Sequence, residues 1–151
     1  LSCSTEDQII EGPTEEKITE IFESLTEDEL NLMVSESEGV VQFIVSTDGK
    51  VIKEHFGLAT DGNSQISIAY MNAPAGWSEP YQTPEFDEYT FIISGKKQFI
   101  IENETVVLEA GQSIKINKNT RVQYSNPFTE NCEYIAICTP AFSMDLVNRE
   151  A

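Results

Sequence analysis

The sequence has few basic side chains: nine Lys and Arg residues stand against 26 Asp and Glu residues, and the formal net charge is −17. A chain with this charge repels phosphate backbones, so we expect no nucleic-acid partner. It repels anionic lipid headgroups in the same way. No apolar run approaches the roughly 20 residues that a membrane-spanning helix needs, so we expect no membrane insertion.

Cysteine is also scarce, with three residues in the chain. Cys132 and Cys138 fall in one apparent strand, where roughly 20 Å separate them, so they cannot pair. We predict buried free thiols, which favours a reducing, cytoplasmic compartment. The opening Leu-Ser-Cys resembles the end of a bacterial lipoprotein signal, so lipid anchoring or export through Cys3 is the alternative location.

The acidity is concentrated in residues 1–38, which hold 12 acids and one base. Apolar residues recur there at helical intervals from Ile18 to Leu25, and Thr26 with Glu29 has the pattern of a helix N-cap. The pattern predicts two short helices, about 14–25 and 27–35. We expect residues 1–38 to be an acidic, partly helical N-terminal extension.

Residues 39–151 are dominated by short β-rich runs with turns between them. Asp48-Gly49 is a strong hairpin signal, and Ser94-Gly95 and Ala110-Gly111 mark further turns. Short strands separated by regular turns are typical of an antiparallel sandwich or small barrel. We therefore predict one all-β domain over residues 39–151.

A regular spacing runs through the stretch from Gly76 to Gly95. Five residues separate Gly76 from Gln82, one separates Gln82 from Pro84, three separate Pro84 from Glu88, and six separate Glu88 from Gly95. Glycines suit turns that need a positive φ or a close backbone approach. Because a strand alternates its faces, the residues at even spacing can point the same way.

A second spaced stretch begins at Gly111. Five residues separate it from Asn117, and Asn119, Val122 and Asn126 follow at fixed intervals. The intervals of both stretches resemble the two sequence motifs of the cupins. The resemblance covers roughly residues 40–140 and implies a cupin-type antiparallel β-barrel, jelly-roll-like, preceded here by the two-helix extension.

In typical cupins the same positions carry three His and one Glu that hold a divalent metal. Here Gln82, Pro84 and Val122 stand at the His positions, and Glu88 is retained. Pro and Val side chains cannot bind a metal, and a Gln carbonyl is a weak ligand for a transition ion. We therefore predict no metal and no cofactor, and we do not extend metal-based dioxygenase or isomerase activity to this chain.

Glu88 is the candidate functional residue of the barrel. A carboxylate in an apolar barrel needs a partner or has its pKa raised, and the spacing places the Gln82 amide within reach of it. Such a pair fits a small polar ligand. It also fits general acid or base catalysis by Glu88, and it fits an inert polar pair left from a metal-binding ancestor.

Three further residues are candidates for ligand contact. Tyr124 shares the predicted inward face with Val122, and its hydroxyl needs a partner. Trp77 could stack on a ligand, or it could be a hydrophobic plug or dimer contact. His55 is the sole histidine and the one side chain expected to titrate near neutrality if it faces the barrel.

Acids next to the motif offer a further alternative. Glu79, Glu85 and Asp87 could bind a hard ion such as Ca²⁺, but only if a loop turned several of them inward. On a regular strand Glu85 and Asp87 lie on the face opposite Glu88 and are solvated.

Three functions remain compatible with the sequence. The first is a metal-free module that binds a small polar molecule. The second is a metal-independent isomerase, epimerase or lyase that uses Glu88 as acid or base. The third is a structural scaffold whose interactions are made by the acidic helices. In each case we expect a homodimer, because pairing protects exposed sheet edges.

Overall fold

The computed structural model of the chain describes the backbone of residues 33–36 and 42–45 and the whole of residues 49–151. Within them lie ten strands and one helical turn. The strands are β1 (Met33–Glu36), β2 (Gln42–Val45), β3 (Val51–Phe56), β4 (Ser67–Ala73), β5 (Asp87–Ser94), β6 (Lys96–Ile101), β7 (Glu104–Glu109), β8 (Ser113–Ile116), β9 (Val122–Ser125) and β10 (Cys132–Thr139), and the helix is α1 (Met144–Val147).

The strands form two antiparallel sheets. The larger has the order β1-β2-β3-β4-β10-β5-β8, and the smaller has the order β7-β6-β9. Buried side chains from both sheets share one core, so the sheets stack as a sandwich. The prediction of an antiparallel all-β domain is confirmed.

Turns lie where the sequence placed them. β2 and β3 pair across the Asp48-Gly49 region, and β6 follows β5 directly after Gly95. Gly95 has a φ of 74°, and a Cβ on it would collide with the carbonyl oxygen of Asn131. No other residue type fits this turn without a shift of the backbone.

β10 lies between β4 and β5 in the larger sheet and shows strict alternation. Cys132, Tyr134, Ala136 and Cys138 point inward, and the residues between them are partly exposed. Both cysteines are buried and free, which confirms that prediction for this pair. Cys3 lies outside the described residues.

The core and the cavity lie at opposite ends of the inner strands. β10 pairs Cys132 with Ala73 at one end, where these two residues and Ile92 belong to the main apolar cluster. At the other end Cys138 pairs with Ser67 and with Glu88, and all three line a cavity. The Cys132 end of β10 therefore lies in the packed apolar core, and the Cys138 end lies at the polar cavity.

The N-terminal predictions are tested at few positions. The expected helix 14–25 lies outside the described residues, and so does helix 27–35 except for residues 33–35. Those three residues belong to β1, which pairs with β2 from Met33 opposite Val45 to Glu36 opposite Gln42. The helix prediction is wrong there, because pairing with a neighbouring strand outweighs a local capping signal. The boundary at residue 38 stays a prediction.

In the part of the chain that the structure describes, no helix is long and apolar enough to cross a membrane.

Candidate functional site

A cavity of about 80 Å³ opens between the two sheets at their polar end. Strands of both sheets, the 79–86 segment and the C-terminal residues around α1 all contribute to its wall. Its ionisable lining comprises three cationic and three carboxylic side chains together with two tyrosines and a thiol: Lys50, Lys97, Arg149, Glu54, Glu79, Glu88, Tyr124, Tyr134 and Cys138.

Glu88 faces this cavity, as its spacing predicted. It precedes Thr90 and Ile92 on the inward face of β5, and both of these are buried. The Tyr124 hydroxyl donates to Glu88 Oε2 at 2.9 Å, and the Thr90 hydroxyl donates to Oε1 at 3.4 Å. Burial raises the pKa of the Glu88 carboxyl by more than Lys97 and the Tyr124 hydrogen bond lower it. A buried carboxyl with a raised pKa that faces a cavity is a candidate functional group.

Tyr124 reaches the site from β9 in the opposite sheet. It is 3% exposed, and its ring meets Phe99 edge-on with centroids 5.7 Å apart. Burial, followed by the neighbouring Glu88 carboxylate, raises the pKa of the Tyr124 hydroxyl well above its ordinary value. The tyrosine therefore remains a hydrogen-bond donor, which is the role that the sequence suggested for it beside Glu88.

Gln82 lines the cavity, but it does not pair with Glu88. Its Nε2 donates to Glu79 Oε2 at 3.4 Å. The prediction of a Gln82–Glu88 pair is wrong because residues 78–86 are not a regular strand. Gln82 makes isolated bridges to Val122 and Arg149, so the period-two rule that aligned it with Glu88 does not apply.

Glu79 anchors a buried ion pair that the sequence did not reveal. Its Oε1 lies 2.7 Å from Lys50 Nζ and 3.6 Å from an Arg149 guanidinium nitrogen. Burial lowers the pKa of Lys50, but the Glu79 carboxylate more than offsets this and leaves it raised. Burial raises the pKa of Glu79, and Lys50 and Arg149 reverse that shift. Both partners of the pair are therefore ionised.

Lys97 is the second buried lysine and differs from the first. It is 1% exposed, and its Nζ lies 3.4 Å from the centroid of the Tyr134 ring and 4.7 Å from that of Tyr124. No hydrogen bond or ion pair joins this amine to any residue that the structure describes. Burial lowers the pKa of Lys97 to about 7, against the opposing effect of the Glu88 carboxylate.

Tyr134 completes this side of the cavity. Its side chain has no exposed surface, and its hydroxyl has no hydrogen-bond partner among the described residues. Burial raises the pKa of this hydroxyl, so it remains protonated. An unmatched buried hydroxyl is uncommon in a native fold and calls for an explanation.

Two predicted ligand contacts do not lie on the cavity. Trp77 is 3% exposed within the apolar cluster, and its ring packs 4.6 Å from Lys50 Nζ, so it acts as the plug that the sequence left as an alternative. His55 is exposed where the β3–β4 register shifts between Glu54 and Phe56, so it faces solvent.

The residues at the family's metal positions do not fit a metal. Pro84 and Val122 are buried without ligand atoms, and within residues 49–151 no three His, Cys, Asp or Glu side chains converge as a metal site would require. The Glu79 carboxylate on the same cavity is already paired with Lys50 at 2.7 Å. The metal-free site stays a prediction that this chemistry supports.

The three acids of the calcium alternative do not converge. Glu79 points inward to Lys50, whereas Glu85 is exposed and accepts a hydrogen bond from Asn148. Asp87 accepts from the Lys118 backbone at 2.8 Å. A hard ion needs several of these oxygens around one point, and they lie on different faces.

Comparison with known proteins agrees with this architecture. Residues 69–138 match the cupin domain family model. An RmlC-like cupin with a double-stranded β-helix fold from Methanocaldococcus jannaschii aligns with a TM-score of 0.56 at 17% identity, over 71% of this chain and 94% of that one. The chain belongs to the cupin superfamily.

Two further proteins are similar in part. The EutQ protein of Clostridium difficile aligns with a TM-score of 0.53 at 24% identity, over 63% of this chain and 65% of EutQ. Endoribonuclease YbeY of Myxococcus xanthus is 38% identical over 109 residues, which are 72% of this chain. The chain spans 37% of the length of that relative.

Proposed function

We propose that this cupin binds a small, uncharged polar molecule in the cavity without the help of a metal ion. The observation that carries the proposal is the buried, unpartnered hydroxyl of Tyr134 on the cavity wall. Leaving such a group unsatisfied costs about 1–3 kcal/mol. A ligand atom that accepts its hydrogen bond removes that cost.

The charges around the cavity favour an uncharged ligand. Three cationic and three carboxylic side chains line it, and the ion pair of Lys50 with Glu79 is already formed. A ligand with a net charge would leave one side chain unmatched at low dielectric, which is costly. A neutral molecule with hydroxyl or carbonyl groups meets the Tyr134 donor without upsetting this balance.

The size of the cavity supports a small ligand. About 80 Å³ is several times the space of roughly 10–15 Å³ that one water molecule needs. Molecules with a few non-hydrogen atoms are therefore the class to test.

We do not propose endoribonuclease activity for this chain. That name belongs to a protein of which this chain spans 37%. A net charge of −17 opposes the approach of RNA, so we propose no nucleic-acid partner.

Thermal shift with matched small molecules tests the proposal. We expect hydroxyacetone, glycerol or acetamide to raise the Tm, because a ligand that binds the folded state stabilises it by about 2.7 kcal/mol at one hundred times its Kd. Lactate and glycolate, which carry a charge, should raise it less. A Tm that no neutral probe changes would overturn the proposal.

Two variants localise the binding. Tyr134→Phe removes the unpartnered hydroxyl and should weaken the shift, whereas Glu104→Gln changes an exposed carboxylate on β7 and should leave it intact. Equal shifts in both variants would place the binding elsewhere.

A second function is favoured by one specific observation. Burial raises the pKa of Glu88 and lowers that of Lys97 to about 7, so burial shifts the pKa values of an acid and a base on one cavity toward each other. We propose metal-independent proton transfer by Glu88, as in an isomerase, epimerase or lyase, as the alternative.

Deuterium exchange tests this alternative. Hydroxyacetone incubated with the protein in D₂O should gain deuterium next to its carbonyl, measured by NMR, and Glu88→Gln should abolish the enzyme-dependent rate. Binding without exchange, for hydroxyacetone and for dihydroxyacetone, would leave the binding module and reject catalysis on this class.

We also propose a homodimer, formed through the outer face of β5. Tyr89, Phe91 and Ile93 are 41–47% exposed at alternate positions of this strand, which makes an apolar stripe on the sheet. Light scattering after gel filtration should give twice the 16.9 kDa chain mass, and Phe91→Asp should give the monomer. Val107→Asp, at an exposed apolar site on β7, is the matched control, and a wild-type monomer would reject the proposal.

A cytoplasmic location also remains our proposal. Cys132 and Cys138 are buried free thiols, as expected for a reducing compartment. Attachment through Cys3 remains the alternative, and mass spectrometry of the mature chain would reveal a lipid on that residue.

A further inference from the structure

The Lys97 amine combines burial, access to the cavity and the absence of a polar partner. It is 1% exposed, lines the cavity and makes no hydrogen bond or ion pair with any described residue. Lys50 lines the same cavity, but its amine is held 2.7 Å from the Glu79 carboxylate. An amine needs a free electron pair to act as a nucleophile, and an ion-paired ammonium has none. Of these two lysines, the geometry selects Lys97.

We propose that Lys97 captures a small aldehyde or ketone in the cavity as a covalent imine, with Glu88 as the proton donor and the Tyr134 hydroxyl as the hydrogen-bond donor to the carbonyl oxygen. The inference rests on the proposed function, because it places the ligand in the same cavity. It adds a bond to one named atom, Lys97 Nζ, and a chemical class, a small uncharged carbonyl compound.

Tyr134 is placed to polarise the carbonyl group. The Lys97 amine lies 3.4 Å from the centre of its ring, and the unpartnered hydroxyl belongs to the same side chain. A carbonyl oxygen that accepts from this hydroxyl brings its carbon close to the amine. Hydrogen bonding to the oxygen stabilises the negative charge that develops there during attack.

Glu88 is placed to supply the proton that removes water. It lines the cavity, and its carboxylate has the largest effect among the neighbouring charges that act on Lys97. The Tyr124 hydrogen bond at 2.9 Å fixes the orientation of the carboxyl group. Burial raises the Glu88 pKa and so retains its proton to higher pH.

The reaction balances without an oxidant or reductant. The neutral amine attacks the carbonyl carbon, a carbon–nitrogen bond forms, and the carbonyl electron pair moves to oxygen, which takes one proton from the attacking nitrogen and gives a neutral carbinolamine. The nitrogen pair then forms the second carbon–nitrogen bond while the carbon–oxygen bond breaks with a proton from Glu88. The iminium nitrogen then returns its proton to the Glu88 carboxylate, so the products are a neutral imine and one water, with one amine proton in the water and the other on Glu88.

The protonation state of Lys97 is suitable for this step. At a pKa of about 7 roughly half of the amine is neutral at pH 7, against about four parts in ten thousand for an ordinary lysine with a pKa near 10.4. The ring face of Tyr134 favours the charged form and burial favours the neutral form.

Borohydride trapping tests the proposal on the full chain. The protein is incubated with hydroxyacetone, reduced, and analysed by intact mass and by peptide mapping. We expect one adduct per chain on the peptide that holds Lys97, with a yield that rises as the pH increases through about 7.

Matched variants identify the atom. Lys97→Arg should abolish the adduct, and Lys96→Arg, at the exposed neighbour on the same strand, should retain it. Mapping of the wild-type protein needs no variant, so it decides the question even if Lys97→Arg does not fold. Adducts on exposed lysines with Lys97 unmodified would overturn the proposal.

Measuring the Tm with the same probe separates the two proposals. If hydroxyacetone and the other neutral probes raise the Tm but no adduct forms on Lys97, binding stands and the imine is rejected. If no neutral probe changes the Tm and no adduct forms, both proposals are rejected.

Discussion

The two sides of the cavity differ in how far their buried polar groups are paired. On one side, which we call the paired side, Lys50, Glu79, Arg149 and Gln82 satisfy one another through an ion pair of 2.7 Å and weaker contacts. On the other, the open side, the Lys97 amine and the Tyr134 hydroxyl are buried without polar partners among the described residues.

We infer that the paired side stabilises the fold and that the open side binds the ligand. A satisfied ion pair holds the 79–86 segment and the C-terminal residue Arg149 against the barrel. Groups with unmet hydrogen-bonding capacity cost stability, and such groups are found where a ligand completes them. The open side is therefore where we place the ligand.

Glu79→Gln should produce the largest loss of stability. It leaves the buried Lys50 without its counter-charge, which typically costs about 3–5 kcal/mol. Urea unfolding at pH 7 measures the change. Adding Lys50→Met to Glu79→Gln should recover most of the loss, because the uncompensated charge is removed. A loss below about 1 kcal/mol would mean that the ion pair of the paired side contributes little to the stability of the fold.

The two cavity tyrosines provide a matched test of intermediate size. Tyr124→Phe removes the 2.9 Å hydrogen bond to Glu88 and should cost about 1.5–3 kcal/mol. Tyr134→Phe removes a buried hydroxyl that has no partner and should raise the unfolding free energy by about 1–3 kcal/mol, because the cost of leaving that group unsatisfied is removed. Equal losses in the two variants would show that the Tyr134 hydroxyl is satisfied in solution and would weaken the contrast.

Much of the fold was predictable because it follows local rules. The turns at Gly95 and Gly111 have φ values of 74° and 86°, as residues without a Cβ allow. Glu88, Thr90 and Ile92 share the inward face of β5 because a regular strand alternates. Tyr124 was placed beside Glu88 by the same rule applied to β9.

The other contacts of the site cannot be predicted from strand periodicity. Gln82 lies in an irregular segment between Pro80 and Pro84, so strand alternation gave it the wrong partner. Lys50 and Glu79 are 29 residues apart, and nothing in their local sequence pairs them.

Lys97 left a weak signal in the sequence. It lies two residues before the buried Phe99 and therefore on the inward face of β6. Apolar residues occupy both faces of that strand, and a lysine is ordinarily assigned to solvent. The Lys97 amine and the Tyr134 hydroxyl, which distinguish the open side, could therefore be identified only from the packing of the two sheets.

Lys97→Met should produce the smallest change in stability, and the change should depend on pH. The folded-state pKa of Lys97 is about 7, below the value of 10.5 for a solvated lysine, so burying the charged amine destabilises the fold below pH 7. Between pH 7 and 10.5 the unfolded chain binds more protons than the folded one, and wild-type stability gains from this group as pH rises.

Met has no proton to bind and fills a similar space. We therefore expect Lys97→Met to be more stable than wild type by about 1 kcal/mol at pH 6, and this advantage should shrink as the pH rises from 7 toward 10. Urea unfolding at several pH values measures it, with Lys96→Met on the exposed face of β6 as the control. A loss of several kcal/mol at pH 6 would show that Lys97 is held by an ion pair as Lys50 is, and the distinction between the two sides would fail.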